Sequence, residues 1–139
     1  IANPSERVQM AAVKSNYLSL RYIQNPTLEI LKAAVLQNPQ AMRQITNLDL
    51  DTVVELLKVS TLILGYVPKQ IGLTVDMVRQ IITEMIANPA VEDRYVREIV
   101  SNPAIGGRQS TWPIDVLSLV DAYGSIEAKK IAIDQYLLY

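Results

Sequence analysis

The chain has 139 residues, of which half are hydrophobic, and it carries a formal net charge of −1. Its length suits one domain with a sizeable core, and its apolar content is too high for a disordered chain. It contains no histidine and no cysteine, which removes the commonest general base, the commonest transition-metal ligand and any disulfide framework. These absences disfavour an enzyme.

No signal for membrane insertion or export is visible in the sequence. No apolar run approaches the ~20 residues that a membrane span requires, and the first residues lack the charged and apolar regions of a signal peptide. The sequence therefore predicts a cytoplasmic protein without membrane contact. Because the chain begins with Ile1, we also expect a processed product or a fragment of something longer.

A 22-residue internal repeat occupies positions 1–68 of the chain. Asn3-Pro4 recurs as Asn25-Pro26 and, in weaker form, as Asn47-Leu48, which sets the spacing of the three units. A period in the twenties is typical of stacked repeats, in which each unit buries its apolar face against its neighbours. The register predicts one buried row and a second row facing it, made respectively of Ala12, Ala34 and Leu56 and of Leu20, Met42 and Leu64.

Each unit has the pattern of two short helices. Ser5, Thr27 and Asp49 are good N-caps for the first helices, since their side-chain oxygens can accept the free amides of the first turn. Equivalent capping positions for the second helices hold Asn16, Asn38 and Ser60. In the first unit, helical spacing places four residues on the inner face, namely Val8, Ala11, Ala12 and Ser15.

After Pro68 the strict period is lost, although the composition stays helical. Helices are predicted over 74–87, 90–100, 113–123 and 125–138, with a loop over 104–111. The predicted fold is all-α, a right-handed, solenoid-like and HEAT-like stack of short helical hairpins with an irregular helical C-terminal half. Residues 1–68 are expected to form three helical-pair repeats, and 69–139 a divergent continuation packed on them within one domain.

The first two units carry a resemblance to a known repeat type. They read Asn-Pro-Ser-Glu-Arg-Val-Gln-Met-Ala-Ala-Val-Lys and Asn-Pro-Thr-Leu-Glu-Ile-Leu-Lys-Ala-Ala-Val-Leu, and Tyr22-Ile23 closes the first unit. This pattern resembles short helical-pair repeats of uncharacterised proteins from bacteriophages, bacteria and large viruses. The resemblance implies a phage or prokaryotic source, a binding or scaffolding role and, for a viral protein, a virion-associated location. It brings no catalytic signature and no functional residue.

The raw material for catalysis or cofactor binding is sparse. Serine and threonine are the only hydroxyl nucleophiles besides tyrosine, and no histidine can activate them. The paired carboxylates Asp49/Asp51 and Glu92/Asp93 lie at predicted helix starts, where they offset the helix dipole. Gly106-Gly107 lacks the frame of a phosphate-binding loop. We therefore predict no enzymatic activity, no cofactor and no metal, with an accessory domain of an enzyme as the weakest alternative.

A non-catalytic protein–protein interaction or scaffolding module is the favoured function, because stacked repeats present extended surfaces. The expected partner is another protein or a second copy of the chain, in a homo-oligomer or a larger assembly. Nucleic-acid binding is the alternative, since Arg21 and Arg43 share one repeat position and could form a basic stripe. Gly65 interrupts that stripe, and residues 1–68 hold six basic against five acidic side chains, which disfavours a nucleic-acid partner.

Two further segments hold candidate partner-binding residues. The 104–113 loop contains Arg108, Gln109 and Trp112, and tryptophan and arginine are enriched at binding hot spots. A structural alternative is that Trp112 packs as a hydrophobic staple at the start of the next helix. In the last helix the apolar residues spread too widely for one stripe, so that Tyr136, Tyr139 and their neighbours either form an interface or close the core from several sides.

Overall fold

The structure, a computed structural model, describes residues 5–106 and 111–137, with only the backbone of residues 136 and 137. Within these ranges the chain folds into seven α-helices and four short 3₁₀ helices, and no strand is present. The helices form two compact units that divide between Gly72 and Leu73. The all-α prediction is confirmed, whereas the predicted assignment of 1–68 and 69–139 to one domain stays a prediction.

The first unit consists of three α-helices that alternate with 3₁₀ helices. The α-helices α1, α2 and α3 begin at positions 6, 28 and 50, so each starts one repeat period after the last. A fourth 3₁₀ helix, Lys69–Ile71, ends at Gly72, whose φ of 89° is accessible to glycine at little cost. The three pairs are α1 (Glu6–Ser15) with Tyr17–Tyr22, α2 (Leu28–Gln37) with Pro39–Gln44, and α3 (Leu50–Leu57) with Thr61–Tyr66.

The three α-helices start where the capping pattern predicts. The N–H groups of Val8 and Ile30 donate to the hydroxyls of Ser5 and Thr27, and Asp49 accepts from the N–H of Thr52 at 2.8 Å. These bonds satisfy amides that the first helical turn leaves without a backbone partner. Hydrogen bonds from the hydroxyl and N–H of Thr52 also hold the pKa of the Asp49 carboxyl below its ordinary value.

The second helix of each pair is a six-residue 3₁₀ helix. The predicted capping side chains, Asn16, Asn38 and Ser60, each accept from the amide two residues further on. Each helix then ends in an extended residue, and the turns that follow the first two contain Asn25 and Asn47 in left-handed conformation, with φ of 50° and 57°. Six residues leave few i→i+4 bonds to form, which favours the tighter helix in such short segments.

The elements of this unit pack in chain order. Each α-helix contacts the next α-helix, and the three six-residue 3₁₀ helices contact one another in the same order. The row of Leu20, Met42 and Leu64 is buried throughout, as predicted. In the other row Ala34 and Leu56 are fully buried, whereas Ala12 is half-buried.

The inner face predicted for α1 is wrong. Val8 is 57% exposed, Ala11 and Ser15 are exposed as well, and Val13 is the buried residue of this helix. Among the described elements, α1 has its main contacts with α2 and the first 3₁₀ helix. A face of α1 that the repeat pattern predicts as buried is therefore exposed.

The second unit contains four α-helices. α5 packs against α7, α4 packs against α6, and α6 also contacts α5 and α7. α5 and α6 each begin three residues later than predicted; at α6 the Asp115 side chain accepts from the N–H of Ser118 and sets the start. The helices are α4 (Val75–Ala87), α5 (Asp93–Ser101), α6 (Val116–Tyr123) and α7 (Ile126–Leu137).

The last helix buries two alanines and exposes two isoleucines. Ala128 and Ala132 are buried, whereas Ile126 and Ile133 are 73% and 58% exposed. Small residues on the inner face allow the close approach of α5, its main contact. The turn between α6 and α7 is also tightly packed, because a Cβ on Gly124 would lie 2.5 Å from the carbonyl oxygen of Val120.

The Ala34→Arg variant tests the packing of the first unit. Ala34 has no exposed surface, and a charge buried there without a partner costs several kcal/mol against a typical total of about 5–15 kcal/mol. We expect this unit to unfold, as measured by circular dichroism during thermal melting. The matched control is Leu36→Arg, since Leu36 lies on the same helix and is 51% exposed. An Ala34→Arg variant that melts like the control would contradict the packing described here.

Candidate functional site

Two adjoining grooves run along the turns between the 3₁₀ helices and the α-helices of the first unit. Their volumes are about 330 Å³ and about 240 Å³. They share Asn25, Pro26 and Thr46 as lining residues, so we treat them as one site and call it the turn groove. Asn25 and Asn47, both in left-handed conformation, bend the chain after the first and second 3₁₀ helices. The turns of these two repeats therefore line the same groove.

The turn groove has an apolar floor and a polar rim. The floor is made by Leu20 and Leu31, which are buried, and by Ile23 and Ile45, which are half-buried. The rim carries side chains that both donate and accept hydrogen bonds, namely Gln24, Asn25, Gln44, Thr46 and Asn47. A surface of this kind suits a ligand with alternating donors and acceptors more than it suits an apolar ligand.

The charges of the first unit are segregated. All five of its acidic side chains lie on α1–α3 or cap them, and the three six-residue 3₁₀ helices contain none. On the α-helices two of the carboxylates are paired, Glu29 with Lys32 and Glu55 with Lys58. The 3₁₀ helices carry Arg21 and Arg43 instead. Of these charged residues Arg21 lines the turn groove, and Asp49 is close to it through its hydrogen bond with the lining residue Thr52.

The two arginines occupy the same repeat position but have different neighbours. Arg43 lies over the ring of Tyr66 with its guanidinium carbon 5.1 Å from the ring centre, an arrangement typical of a cation–π contact. Arg21 lines the groove together with Gln44. Gln44 in the second repeat and Tyr66 in the third repeat hold the same repeat position. The sequence prediction that these arginines share one face agrees with their positions on neighbouring 3₁₀ helices.

The second unit has a separate groove of about 490 Å³ at the base of the predicted recognition loop. The base is closed where the N–H of Gly106 donates to the carbonyl of Trp112 at 3.0 Å, and the N–H of Ile114 donates to the same oxygen at 2.8 Å. Most of the lining is apolar, including Ile99 and Leu117. The polar exception is Asp115, whose pKa is lowered by hydrogen bonds from the Ser118 hydroxyl and N–H.

Trp112 does not have the staple position considered from the sequence. A staple residue directly precedes the N-cap, and the N-cap of α6 is Asp115. Ile114 therefore holds that position and is 1% exposed, whereas Trp112 is half-buried at the base of the loop. The hydrogen bonds to its carbonyl show a backbone role for this residue in closing the loop.

The remaining predicted site residues cannot be placed beside either groove. Arg108, Gln109 and Tyr139 lie outside the described residues, and Tyr136 is described by its backbone alone. Their participation in binding therefore stays a prediction.

Sequence reasoning missed the polar rim of the turn groove. Asn25 and Asn47 mark the repeat in the sequence, but the repeat spacing alone does not show that their side chains line a groove. A usable signal was present, since asparagine is the residue besides glycine that most readily adopts the left-handed conformation, and it does so mostly in turns. Recurrent asparagine at one register position therefore indicates a recurrent turn with an amide side chain at its tip.

The described part of the chain holds neither a cluster of potential metal ligands nor a helix that could span a membrane. Acidic side chains, the only potential metal ligands of the histidine, cysteine, aspartate and glutamate types in this sequence, form no group of three or more there. None of the described helices combines the length and the apolar character of a membrane span. No protein-family model matches the chain, and comparison with curated proteins and with solved structures finds no similar protein.

Replacing Asn25 separates its backbone role from its side-chain role. With φ at 50°, Asn25→Ala places a Cβ-bearing residue without a compensating side chain in the left-handed region, and we expect a loss of about 1 kcal/mol in the free energy of unfolding. Asn25→Gly should leave that free energy nearly unchanged, because glycine accepts this conformation. Urea titration of both variants, with Gln24→Ala as the neighbouring control, measures the difference. Equal stabilities of the alanine and glycine variants would refute the argument.

Proposed function

We propose that this protein is a non-catalytic protein–protein interaction or scaffolding module whose first unit is a short, right-handed, HEAT-like solenoid. The observation that carries the proposal is the turn groove, which extends over the turns of two successive repeats, beside 3₁₀ helices that hold no acidic residue. Stacked helical units use such extended surfaces to bind other macromolecules. The resemblance of the first two units to phage, bacterial and large-virus repeats is in keeping with a scaffold from a phage or its host.

The chemistry of the groove favours a protein over a nucleic acid. Its rim offers amides and a hydroxyl, and Arg21 is the one basic residue among its lining side chains. Nucleic-acid sites depend on neutralising several phosphates, commonly six or more in a tight complex. Besides the shared repeat position of Arg21 and Arg43, the contact of Arg43 with Tyr66 favours the nucleic-acid alternative, because arginine and aromatic residues together can stack on bases.

Charge reversal on the 3₁₀ face, the surface that carries Arg21 and Arg43, tests the proposed function. We expect the immobilised protein to retain a defined set of proteins from a nuclease-treated extract of its source organism. The double variant Arg21→Glu/Arg43→Glu should lose most of that set, as measured by quantitative mass spectrometry. The matched control is Arg7→Glu/Lys14→Glu, which reverses two exposed charges on α1 and should retain it. Retention that depends equally on both pairs would reject the 3₁₀ face as the binding surface.

Association with a second copy is supported by α7. Ile126 and Ile133 are seven residues apart and therefore lie on the same helical face, which is exposed. An exposed pair of large apolar side chains on one stripe is a suitable contact for a partner helix. This supports the expectation of a homo-oligomer without involving the turn groove.

Sedimentation equilibrium tests the self-association. We expect the parent protein to populate a species larger than the monomer at micromolar concentration. The double variant Ile126→Lys/Ile133→Lys should shift the population to monomer by removing apolar contact area and adding like charge, while its thermal melting stays close to that of the parent monomer. The control is Glu127→Lys, an exposed change on the same helix. A parent that is monomeric at all concentrations would rule out the homo-oligomer.

A further inference from the structure

Arg21 and Arg43 hold the same position on two neighbouring 3₁₀ helices. The first and second 3₁₀ helices are in contact, and packed helices lie about 8–10 Å apart. A chain in the polyproline II conformation rises about 3.1 Å per residue and has three residues per turn. Residues i and i+3 of such a chain therefore lie on the same side, about 9 Å apart, which matches the expected separation of equivalent positions.

The rim of the turn groove complements the backbone of a polyproline II chain. Such a chain has no internal hydrogen bonds, so its carbonyl and N–H groups are free to bind a partner. Gln24, Asn25 and Gln44 offer primary amides, which donate and accept at the same time. Asn47 continues this chemistry into the adjoining groove. The apolar floor beneath them accommodates aliphatic parts of the ligand.

The positive charge of Arg21 and Arg43 favours a ligand with acidic side chains. No acidic residue occurs on the three six-residue 3₁₀ helices, and among the described residues neither Arg21 nor Arg43 has a carboxylate partner. Arginine binds carboxylates through two parallel N–H···O bonds. Next to Arg21, the ring of Tyr22 is 81% exposed, and exposed aromatic side chains commonly line grooves that bind proline-rich segments.

We propose that the turn groove and the adjoining second 3₁₀ helix bind an acidic peptide segment in polyproline II conformation, with carboxylates three residues apart on Arg21 in the groove and on Arg43 beside it. The inference rests on the proposed protein-binding function and adds the chemical class of the partner. Its backbone is held by the amides of the rim, and its carboxylates set both register and orientation.

The probe is acetyl-(Asp-Pro-Ala)₄-amide, in which proline favours the polyproline II conformation and aspartate recurs every third residue. Matched peptides carry asparagine or lysine in place of aspartate. Titration into ¹⁵N-labelled protein should shift the side-chain amide signals of Gln24, Asn25 and Gln44 with the aspartate peptide. We expect the asparagine peptide to bind at least about tenfold more weakly, because it lacks the charge-assisted bonds, and the lysine peptide to cause no shift.

Variants of the groove separate its charges from its amides. Arg21→Gln should weaken binding about tenfold, and Asn25→Gly should weaken it without changing the turn, since glycine adopts the same φ. Lys14→Gln, which removes an exposed charge on α1, should bind as the parent does. Equal weakening by Lys14→Gln would indicate general attraction of opposite charges and overturn the proposal.

The remaining outcomes distinguish this inference from the proposed function. Equal affinity for the aspartate and asparagine peptides would overturn the acidic selectivity, while peptide binding by the groove would still support the proposed function. Absence of any shift, with protein capture by the Arg21/Arg43 face intact, would overturn the inference alone. If a 20-nucleotide single-stranded RNA shifts the same signals at lower concentration than the peptide, both the inference and the protein-binding function are overturned.

Discussion

The structure of the first unit depends on burial between successive short helices. Its α-helices have 8 to 10 residues, and isolated helices below about 12–15 residues are marginal in water. Each helix is therefore stable only while its apolar residues pack against the neighbouring helices. Ile30, Ala34 and Val53 are buried for this reason, and the capping bonds of Thr27 and Asp49 then set where each packed helix begins.

This dependence explains both the exposed side of α1 and the position of the turn groove. α1 has its main contacts with α2 and the first 3₁₀ helix, and Val8 stays in solvent although its sequence pattern matches that of the buried helices. Stacking in chain order also aligns the turns, so that Asn25 and Asn47 lie along one edge. The amides of that edge stabilise no helix directly, which leaves them available to a ligand. We consider this separation of packing and recognition to be the basis of the proposed binding function.

The two units use apolar residues in different ways. In the first unit the buried residues include large aliphatic side chains such as those of Leu20 and Leu56. In the second unit α7 buries Ala128 and Ala132 and exposes two isoleucines. Close packing of small residues brings α7 and α5 together, and the larger residues then lie on the opposite side of the helix. The exposed stripe gives the self-association hypothesis a physical basis that composition alone did not provide.

The sequence by itself determined the all-α class, the repeat spacing and the caps at Ser5, Thr27 and Asp49, because these follow from local hydrogen bonding and helical periodicity. Only the tertiary structure decided which face of α1 is open, that the second helices are 3₁₀ helices, and that α7 turns its isoleucines outward. The turn groove belongs to this second group, since Gln24 and Gln44 line the same groove only after the first and second repeats have packed together. Burial and proximity depend on neighbours that are distant in the chain, and a local pattern does not specify them.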